Sequence, residues 1–264
     1  MELLKKTFPN IRIIAKLTRI PVLGKFFDLV MFEGDGIIYL TQDNVIQINK
    51  ELNKEDDMVL PSQVLEYFIN KANYHWIMNF CICRDSMQCK DYPINLGCLF
   101  LGEAVLGINP QLGRLVSKDE ALDHIRKCNE AGLVHMVGRN RLDKQWLGVK
   151  PGDKLLTICN CDPCCCLWRI APTLVTKIGS KIQKMPGLEI IVTNKCIGCD
   201  KCTKGICFVD AIQLIENHAQ ISNECRGCGR CVEICPEKAI QIIVNDTEFV
   251  SKSIKKIEKL IDVT

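Results

Sequence analysis

A run of three cysteines with the spacing C-x2-C-x2-C occurs twice in this chain, and this repeat limits the fold more than any other feature. The runs begin at Cys196 and Cys225, 29 residues apart, and each is followed by a fourth cysteine and then by Ala-Ile. Three thiolates at this spacing converge from one tight loop on a cubane iron–sulfur cluster. The pair Cys235-Pro236 fits the bacterial pattern in which the fourth cysteine binds the other cluster. The repeat therefore predicts two [4Fe-4S] clusters.

The surrounding segment, residues 189–245, resembles the bacterial two-cluster ferredoxin family. The resemblance implies a pseudo-two-fold domain with two short helices and two hairpins, and transfer of single electrons at low potential. The implied hairpins pair residues 189–193 with 212–215 and residues 219–222 with 240–244. The resemblance also implies the cluster ligands, which are Cys196, Cys199, Cys202 and Cys235 for one cluster, and Cys225, Cys228, Cys231 and Cys207 for the other.

The first repeat departs from the family pattern. Four residues separate Cys202 from Cys207, and Phe208 stands where the family has proline. We therefore expect a bulged loop, and a potential for that cluster that differs from its twin, because amide hydrogen bonds and exposure tune the potential. A pair of four-cysteine zinc sites is the alternative. It is disfavoured because zinc ribbons use C-x2-C pairs rather than this three-cysteine run.

The chain has 18 cysteines in 264 residues, which indicates either disulfides or metal ligation. Its first residues lack the apolar core and cleavage site of a secretory signal, so we expect a cytoplasmic protein in an anaerobic or strongly reducing cell. The adjacent Cys164, Cys165 and Cys166 also cannot all find well-placed disulfide partners. Metal ligation is the interpretation that remains.

Charge and hydropathy exclude two classes of function. The net charge is only +3 and no basic stripe with interleaved aromatics is present, so we expect no nucleic-acid partner. No uncharged apolar run is long enough to span a membrane. Residues 11–31 predict a basic amphipathic helix broken at Pro21, which either lies on a membrane surface or packs on its own domain or a partner.

Nine further cysteines fall in two segments, and with the elements around them they resemble an uncharacterised group of iron–sulfur proteins from anaerobes, over about residues 60–245. Nine thiols allow one or two more clusters, held either by each segment separately or by both together. Zinc and free structural thiols are the alternatives. Surplus thiols could bind a substrate, a persulfide or another iron, or could simply be buried. The candidate metal ligands are Cys81, Cys83, Cys89, Cys98, Cys159, Cys161, Cys164, Cys165 and Cys166.

Four other side chains have two interpretations each. Cys128 lies on an apolar helix face and is expected to be a core residue rather than a ligand. His135 lies in an apolar strand, where a buried, hydrogen-bonded imidazole is favoured over a proton donor. Arg84 and Arg139 could face an anionic substrate or cluster, although surface arginines are more often solvated. No nucleotide-binding fingerprint and no catalytic triad pattern is present.

These patterns predict an α+β chain with a mixed, largely helical cysteine-rich domain before the ferredoxin-like domain. Local signals add a hairpin around Asp43-Asn44, a helix from residue 61 to 79 that leads into Cys81, and a capped helix from Ser117 to about Gly132. The predicted divisions are residues 1–60 (helix and hairpin), 61–172 (cysteine-rich domain), 173–188 (linker), 189–245 (two-cluster domain) and 246–264 (closing amphipathic helix).

The favoured function is electron transfer through several clusters between a soluble donor and a partner redox enzyme. The alternative is a reductase whose N-terminal cluster is the catalytic site, which leaves open whether the protein is an enzyme. A weaker alternative is a protein that hands a cluster or sulfide to another protein.

Overall fold

The computed structural model describes residues 7–44, residue 46 and residues 60–264. The α-helices are α1 Ile11–Leu17, α2 Pro21–Phe27, α3 Gln63–Lys71, α4 Ile82–Ser86, α5 Lys118–Glu130, α6 Arg141–Leu147, α7 Thr176–Gly179, α8 Arg230–Ile234 and α9 Phe249–Glu258. The strands are β1 Gly36–Tyr39, β2 His75–Met78, β3 Leu99–Leu101, β4 Gly113–Val116, β5 Val134–Arg139, β6 Leu156–Cys161, β7 Ile182–Lys184, β8 Leu188–Val192, β9 Ile212–Ile215, β10 His218–Ile221 and β11 Ile240–Val244. This mixture of helix and sheet agrees with the predicted α+β class.

Seven strands form one sheet in the order β4-β2-β3-β6-β5-β1-β7. Every neighbouring pair is antiparallel except β1 and β7, which are parallel. The central strands β5 and β6 are buried on both faces, which explains their nearly continuous apolar character. This sheet is the platform that carries the N-terminal thiols.

The expected linker, residues 173–188, is instead part of this platform. It contains α7 and the edge strand β7, in which Ile182 is paired with Ile37 of β1. Ile178 and Ile182 are buried, so the glycines and prolines of this segment shape turns between packed elements. The segment joins the two halves of the chain rigidly.

The expected hairpin around Asp43-Asn44 is wrong. Strand β1 pairs with β5 and β7, and residues 43, 44 and 46 are helical. The rest of the second run, residues 45 and 47–49, lies outside the described residues. The chain after β1 is held by the C-terminal half, because the Thr41 hydroxyl and the Gln42 amide donate to the carbonyls of Gly227 and Cys228.

The helix expected over residues 61–79 ends early. Its apolar face is buried as predicted, but α3 stops at Lys71, and strand β2 then leads the chain to Cys81. The backbone becomes extended at Ala72, where β2 can take its place in the sheet between β3 and β4. The capping box at Ser117 and Glu120 is confirmed at the start of α5.

The strand pairing implied by the ferredoxin resemblance is also wrong. Strand β8 pairs with β11, and β9 pairs with β10. The reason is the two-residue connection Glu216-Asn217, in which both residues have positive φ (50° and 58°), the geometry that joins adjacent strands in a tight hairpin. The pseudo-two-fold pattern remains, with one local hairpin and one pairing between the ends of the module.

The two halves share one core. Leu65 and Phe68 of α3, Ile158 of β6, Ile242 of β11 and Ile257 of α9 belong to a single buried cluster. Helix α9 packs on α3, and Glu258 accepts hydrogen bonds from Tyr67 and Lys71. The closing helix is therefore docked on the body, as its apolar periodicity predicted.

The N-terminal helical region breaks where it was predicted to break. Helix α1 ends at Leu17, and Pro21 occupies the first turn of α2, where its missing N–H costs no hydrogen bond. Large apolar side chains remain exposed here, among them Ile13 at 63%, Val22 at 78% and Phe26 at 58%. Among the described helices, none has the length and apolar character needed to cross a membrane.

Ile257→Ala tests whether α9 stabilises the whole chain. Ile257 is 1% exposed in the shared core, and truncating such a side chain costs about 2–5 kcal/mol. We expect a single thermal transition at lower temperature, measured anaerobically by circular dichroism. Lys255→Ala, on the exposed face of the same helix, should leave the midpoint nearly unchanged. Equal midpoints for the two variants would contradict the docking.

Candidate metal centres

The C-terminal module encloses two small cavities, and four thiols line each one. Cys196, Cys199, Cys202 and Cys235 line the first. Cys207, Cys225, Cys228 and Cys231 line the second. The fourth cysteine after each run therefore crosses to the cavity of the other run, which is the partition that the resemblance implied.

Backbone amides point at several of these sulfurs. The amide of Ala219 lies 3.4 Å from Cys196 Sγ and that of Ala239 lies 3.3 Å from Cys235 Sγ. Around the second cavity, the amides of Ala211 and Gly227 lie 3.2 Å and 3.4 Å from the sulfurs of Cys207 and Cys225. Donors of this kind stabilise thiolates and tune bound clusters. Four convergent thiols with amide donors fit a [4Fe-4S] cluster in each cavity.

The two cavities differ in their surroundings. Cys199 is exposed and the neighbouring Ile197 is 64% exposed, so the first cavity lies near the surface. Burial raises the pKa of Cys228, in the second cavity, to about 12. Phe208, which replaces the family proline, is 1% exposed, and its ring centroid lies 5.5 Å from that of Tyr39. The irregular loop thus faces the N-terminal half.

Six of the nine candidate ligand cysteines of the N-terminal half line one large cavity of about 400 Å³. Cys81 precedes α4 and Cys83 lies within it, while Cys159 and Cys161 are alternate residues of β6. Because β3 pairs with β6, Cys98 is brought to 3.9 Å from Cys159, measured between sulfurs. The six thiols are Cys81, Cys83, Cys98, Cys159, Cys161 and Cys166. We call this space the six-thiol cavity.

The other three cysteines form a separate group. Cys89 Sγ lies 3.6 Å from Cys164 Sγ, which lies 3.4 Å from Cys165 Sγ. Asp162 Oδ1 lies 3.0 Å from Cys164 Sγ, and the four ligand atoms all lie within 4.8 Å of one another. Each sequence segment therefore contributes to both groups, and the Cys164–Cys166 run divides between them.

A buried ion pair connects the two segments. The Arg84 side chain has no exposed surface, and its Nη1 lies 3.3 Å from Asp162 Oδ2. Arg84 also donates to the carbonyls of Pro93, Leu96 and Asn160. The expectation that Arg84 is a solvated surface residue is therefore wrong.

Hydrogen bonds and nearby charges shift the pKa values of the thiols in the six-thiol cavity. The hydrogen bond with Cys83 and the positive charge of Arg84 lower the pKa of Cys81. Hydrogen bonds with Cys161 and Cys98 lower the pKa of Cys159. These two thiols are the most readily ionised of the cavity, which favours metal binding because the thiolate is the ligand.

Two other titratable side chains lie close by. Asp143 lines the six-thiol cavity, and burial raises its pKa to about 7. Burial lowers the pKa of His135 to about 4, and its ring nitrogens hydrogen-bond the side chains of Asn160 and Asn129. His135 is therefore buried with both ring nitrogens hydrogen-bonded, as predicted from the sequence. Cys128 is buried in the core and does not line the cavity.

The opposite wall of the six-thiol cavity is apolar. Phe8, Ile11 and Ile14 approach from the start of the chain, and Phe27 and Met31 follow from α2 and the turn after it. The inner face of residues 11–31 thus covers the thiols, while its outer face exposes large apolar side chains. The helical region packs on its own domain through one face only.

Tyr39 lines the second cavity of the module. It also belongs to the same buried cluster as Cys161 and Cys166 of the six-thiol cavity. Burial, followed by the charges of Cys166, Cys161 and Cys228, raises its pKa. The Tyr39 hydroxyl is fully buried and has no hydrogen-bond partner among the described residues. One buried cluster therefore contains Tyr39 together with thiols of both cavities.

Sequence reasoning missed several residues of these sites. Asp162 lies inside the cysteine-dense run, so its position was a usable signal. No sequence pattern pointed to Tyr39 or Asp143, because these residues come from strands or helices that are distant in sequence and reach the thiols only in the folded chain.

Known proteins resemble parts of this chain. Residues 188–236 match the family described as 4Fe-4S dicluster domain. Over 48 residues, the chain is 52% identical to a subunit of the ion-translocating oxidoreductase complex of Methanosarcina acetivorans, covering 18% of this chain and 18% of that protein. Over 70 residues, it is 41% identical to the PorD subunit of the pyruvate synthase of Methanothermobacter marburgensis, covering 26% of this chain and 79% of that protein. No solved structure is significantly similar to the chain.

Arg84→Met tests the ion pair. Removing one partner of a buried pair leaves the other charge uncompensated, which costs about 3–5 kcal/mol. We expect that loss in the free energy of unfolding, measured anaerobically with denaturant. Arg126→Met is the control, because Arg126 pairs only with Asp123 and Glu130 on the surface among the described residues. Similar losses in both variants would contradict the central role of Arg84.

Proposed function

Residues 188–236 form a 4Fe-4S dicluster domain, and on that premise we propose that the chain passes low-potential electrons between a donor and a partner enzyme through three metal centres. Two centres lie in the module and the third in the six-thiol cavity. Iron–sulfur clusters supply the one-electron chemistry when bound. The observation that carries this proposal is the single buried cluster that contains Tyr39 and Phe208 together with thiols of the six-thiol cavity and of the second module cavity.

We assign the module ligands by cavity. One cluster takes the four thiols of the first cavity, and the other takes the four thiols of the second. Support for this assignment comes from the convergence of the thiols and from the amides that face Cys196, Cys207, Cys225 and Cys235. Cys207 remains a ligand in spite of its irregular loop, because Phe208 packs inward and leaves the thiol facing the cavity.

The third centre is held by cysteines of the six-thiol cavity. Six thiols exceed the three or four that one [4Fe-4S] cluster needs. Cys81 and Cys159 are the first candidates, because their neighbours favour the thiolate. The remaining thiols would complete the ligand set or hold a further iron or sulfide.

The positions of the proposed metal centres indicate the order in which an electron would pass through them. Cys199 is the exposed cysteine of the module, so a donor approaches most closely there. Phe208 and Tyr39 are buried and pack on each other, in a cluster that also contains thiols of the second cavity and of the six-thiol cavity. Donor, module and six-thiol cavity therefore follow one another in that order.

The partner is proposed to be a redox enzyme. The two relatives are named as subunits of an ion-translocating oxidoreductase complex and of a pyruvate synthase. The exposed apolar side chains of α1 and α2 lie over the six-thiol cavity and would contact such a partner or a membrane surface. Contact there would place the acceptor near the third centre.

Metal counting tests the third centre. We expect iron and acid-labile sulfide clearly above the eight of each that two cubanes hold, in protein purified anaerobically. Cys83→Ser should remove the excess and leave the module clusters, seen by electron paramagnetic resonance of the reduced protein. Cys128→Ala, a buried cysteine outside the cavity, should keep the full content. About eight irons in the unaltered protein would overturn the third centre.

Tyr39→Phe tests the role of Tyr39 beside the metal centres. The buried hydroxyl has no protein hydrogen-bond partner among the described residues and has cysteines as its charged neighbours, so it can donate to a bound cluster, and a hydrogen bond to a charged group contributes about 1.5 kcal/mol or more. Losing that donor should lower the potential of an adjacent centre by about 60 mV, measured by redox titration with paramagnetic resonance. Tyr67→Phe, on the outer face of α3, should leave all potentials unchanged. Unchanged potentials in Tyr39→Phe would contradict the proposed route.

One observation favours a second candidate function, a reductase that acts at the six-thiol cavity. The cavity holds about 400 Å³ and combines thiols with an apolar wall and the Asp143 carboxyl. A small apolar molecule could bind beside the metal centre and be reduced there. A paramagnetic signal of the third centre that changes when such a molecule is added would favour catalysis over relay.

A further inference from the structure

We propose that Cys89, Cys164, Cys165 and Asp162 form a fourth, mononuclear site that binds one tetrahedral divalent metal ion of the Zn²⁺ type. None of its three cysteines lines the six-thiol cavity or either module cavity, and the site shares only Asp162 with the wall of the six-thiol cavity. The proposal does not depend on the electron-transfer function.

The spacing of the ligand atoms fits one ion. The sulfur–sulfur distances are 3.6 Å for Cys89 and Cys164, and 3.4 Å for Cys164 and Cys165. In a tetrahedral site with metal–sulfur bonds of about 2.3 Å, two thiolates lie roughly 3.8 Å apart. The thiolates of a cubane bind different irons and therefore lie farther apart. The compact spacing of all the ligand atoms thus favours one ion over a cluster.

The local backbone directs these thiols away from the six-thiol cavity. Asp162 Oδ1 accepts hydrogen bonds from the amides of Cys164 and Cys165, which folds the chain into a tight turn. Cys164 and Cys165 consequently face Cys89, whereas Cys166 lines the cavity. Three adjacent cysteines therefore serve two sites.

The ligand set defines the chemistry of the ion. Three thiolates and one carboxylate favour a borderline-soft divalent ion, Zn²⁺ or Fe²⁺, over Mg²⁺ or Ca²⁺. On binding, the three S–H groups release three protons to solvent and three metal–sulfur bonds form. Arg84, on the other carboxylate oxygen of Asp162, offsets part of the negative charge that results.

The ion would have a structural role. Cys89 follows α4, and the other three ligands follow β6, about 75 residues later in the chain. One ion joins these two segments on the outer side of the Arg84–Asp162 pair, while the six-thiol cavity lies on the inner side. The site thereby holds in place the two segments that line the cavity.

Cobalt titration tests the site directly. The full chain is purified anaerobically and treated with a chelator that leaves acid-labile sulfide unchanged, and Co²⁺ is then added. We expect thiolate-to-cobalt charge-transfer absorption and tetrahedral cobalt bands that saturate at one Co²⁺ per chain, and Zn²⁺ should displace the cobalt. If these bands do not appear in the unaltered protein, the proposal is overturned.

Two variants locate the ligands. Cys164→Ser and Cys89→Ser should each abolish or weaken the cobalt bands at least tenfold while iron and sulfide stay at the unaltered level. Cys164 is exposed, so its replacement leaves the fold intact, which circular dichroism checks. Cys128→Ala is the control and should retain full cobalt binding.

The outcomes separate this site from the clusters. Loss of iron and sulfide in Cys164→Ser would mean that the thiol belongs to a cluster, and it would overturn the mononuclear site. Absence of a third cluster would appear as low iron in the unaltered protein. In that case any cobalt bound by the six-thiol cavity would survive Cys164→Ser, whereas the cobalt of the mononuclear site would be lost.

Discussion

The buried ion pair between Arg84 and Asp162 is the contact on which the N-terminal half depends. Two segments far apart in sequence carry its thiols, one around α4 and the other at the end of β6 and just after it. Arg84 binds carbonyls of one segment, a carbonyl of the other and the Asp162 carboxylate, all without exposure to water. Compared with two apolar side chains of similar volume, a buried charge pair of this kind adds little net stability. It does favour the one arrangement in which both charges are paired. That arrangement sets where the thiols face.

The same pair explains how nine thiols serve two purposes. One oxygen of Asp162 pairs with Arg84, and the other folds the Cys164–Cys166 turn. Cys166 joins the thiols near Arg84, which lowers the pKa of Cys81 there. Cys164 and Cys165 meet Cys89 on the other side. A single carboxylate thus divides a cysteine run that looks uniform in sequence.

The two-cluster module is integrated into the chain, in contrast to a small diffusible carrier. Its strands share a core with α3 and β6, and α9 returns to pack on α3. Thr41 and Gln42 hold the module by its second cysteine run, next to Tyr39. The separation between the module and the N-terminal thiols is therefore set by packed side chains, as stepwise electron transfer requires.

The sequence by itself determined the two cysteine runs of the module, because ligand spacing is a local property, and the resemblance to two-cluster ferredoxins implied the crossed partition of its eight thiols. It also determined the capped helix at Ser117, the break at Pro21 and the buried state of Cys128 and His135. It did not determine strand pairing, since β8 meets β11 across the whole module. Only the tertiary structure decided that Tyr39 packs in one cluster with thiols of two cavities, that residues 173–188 supply a sheet strand and that Arg84 is buried. Those features depend on contacts between residues far apart in the chain, which no local spacing records.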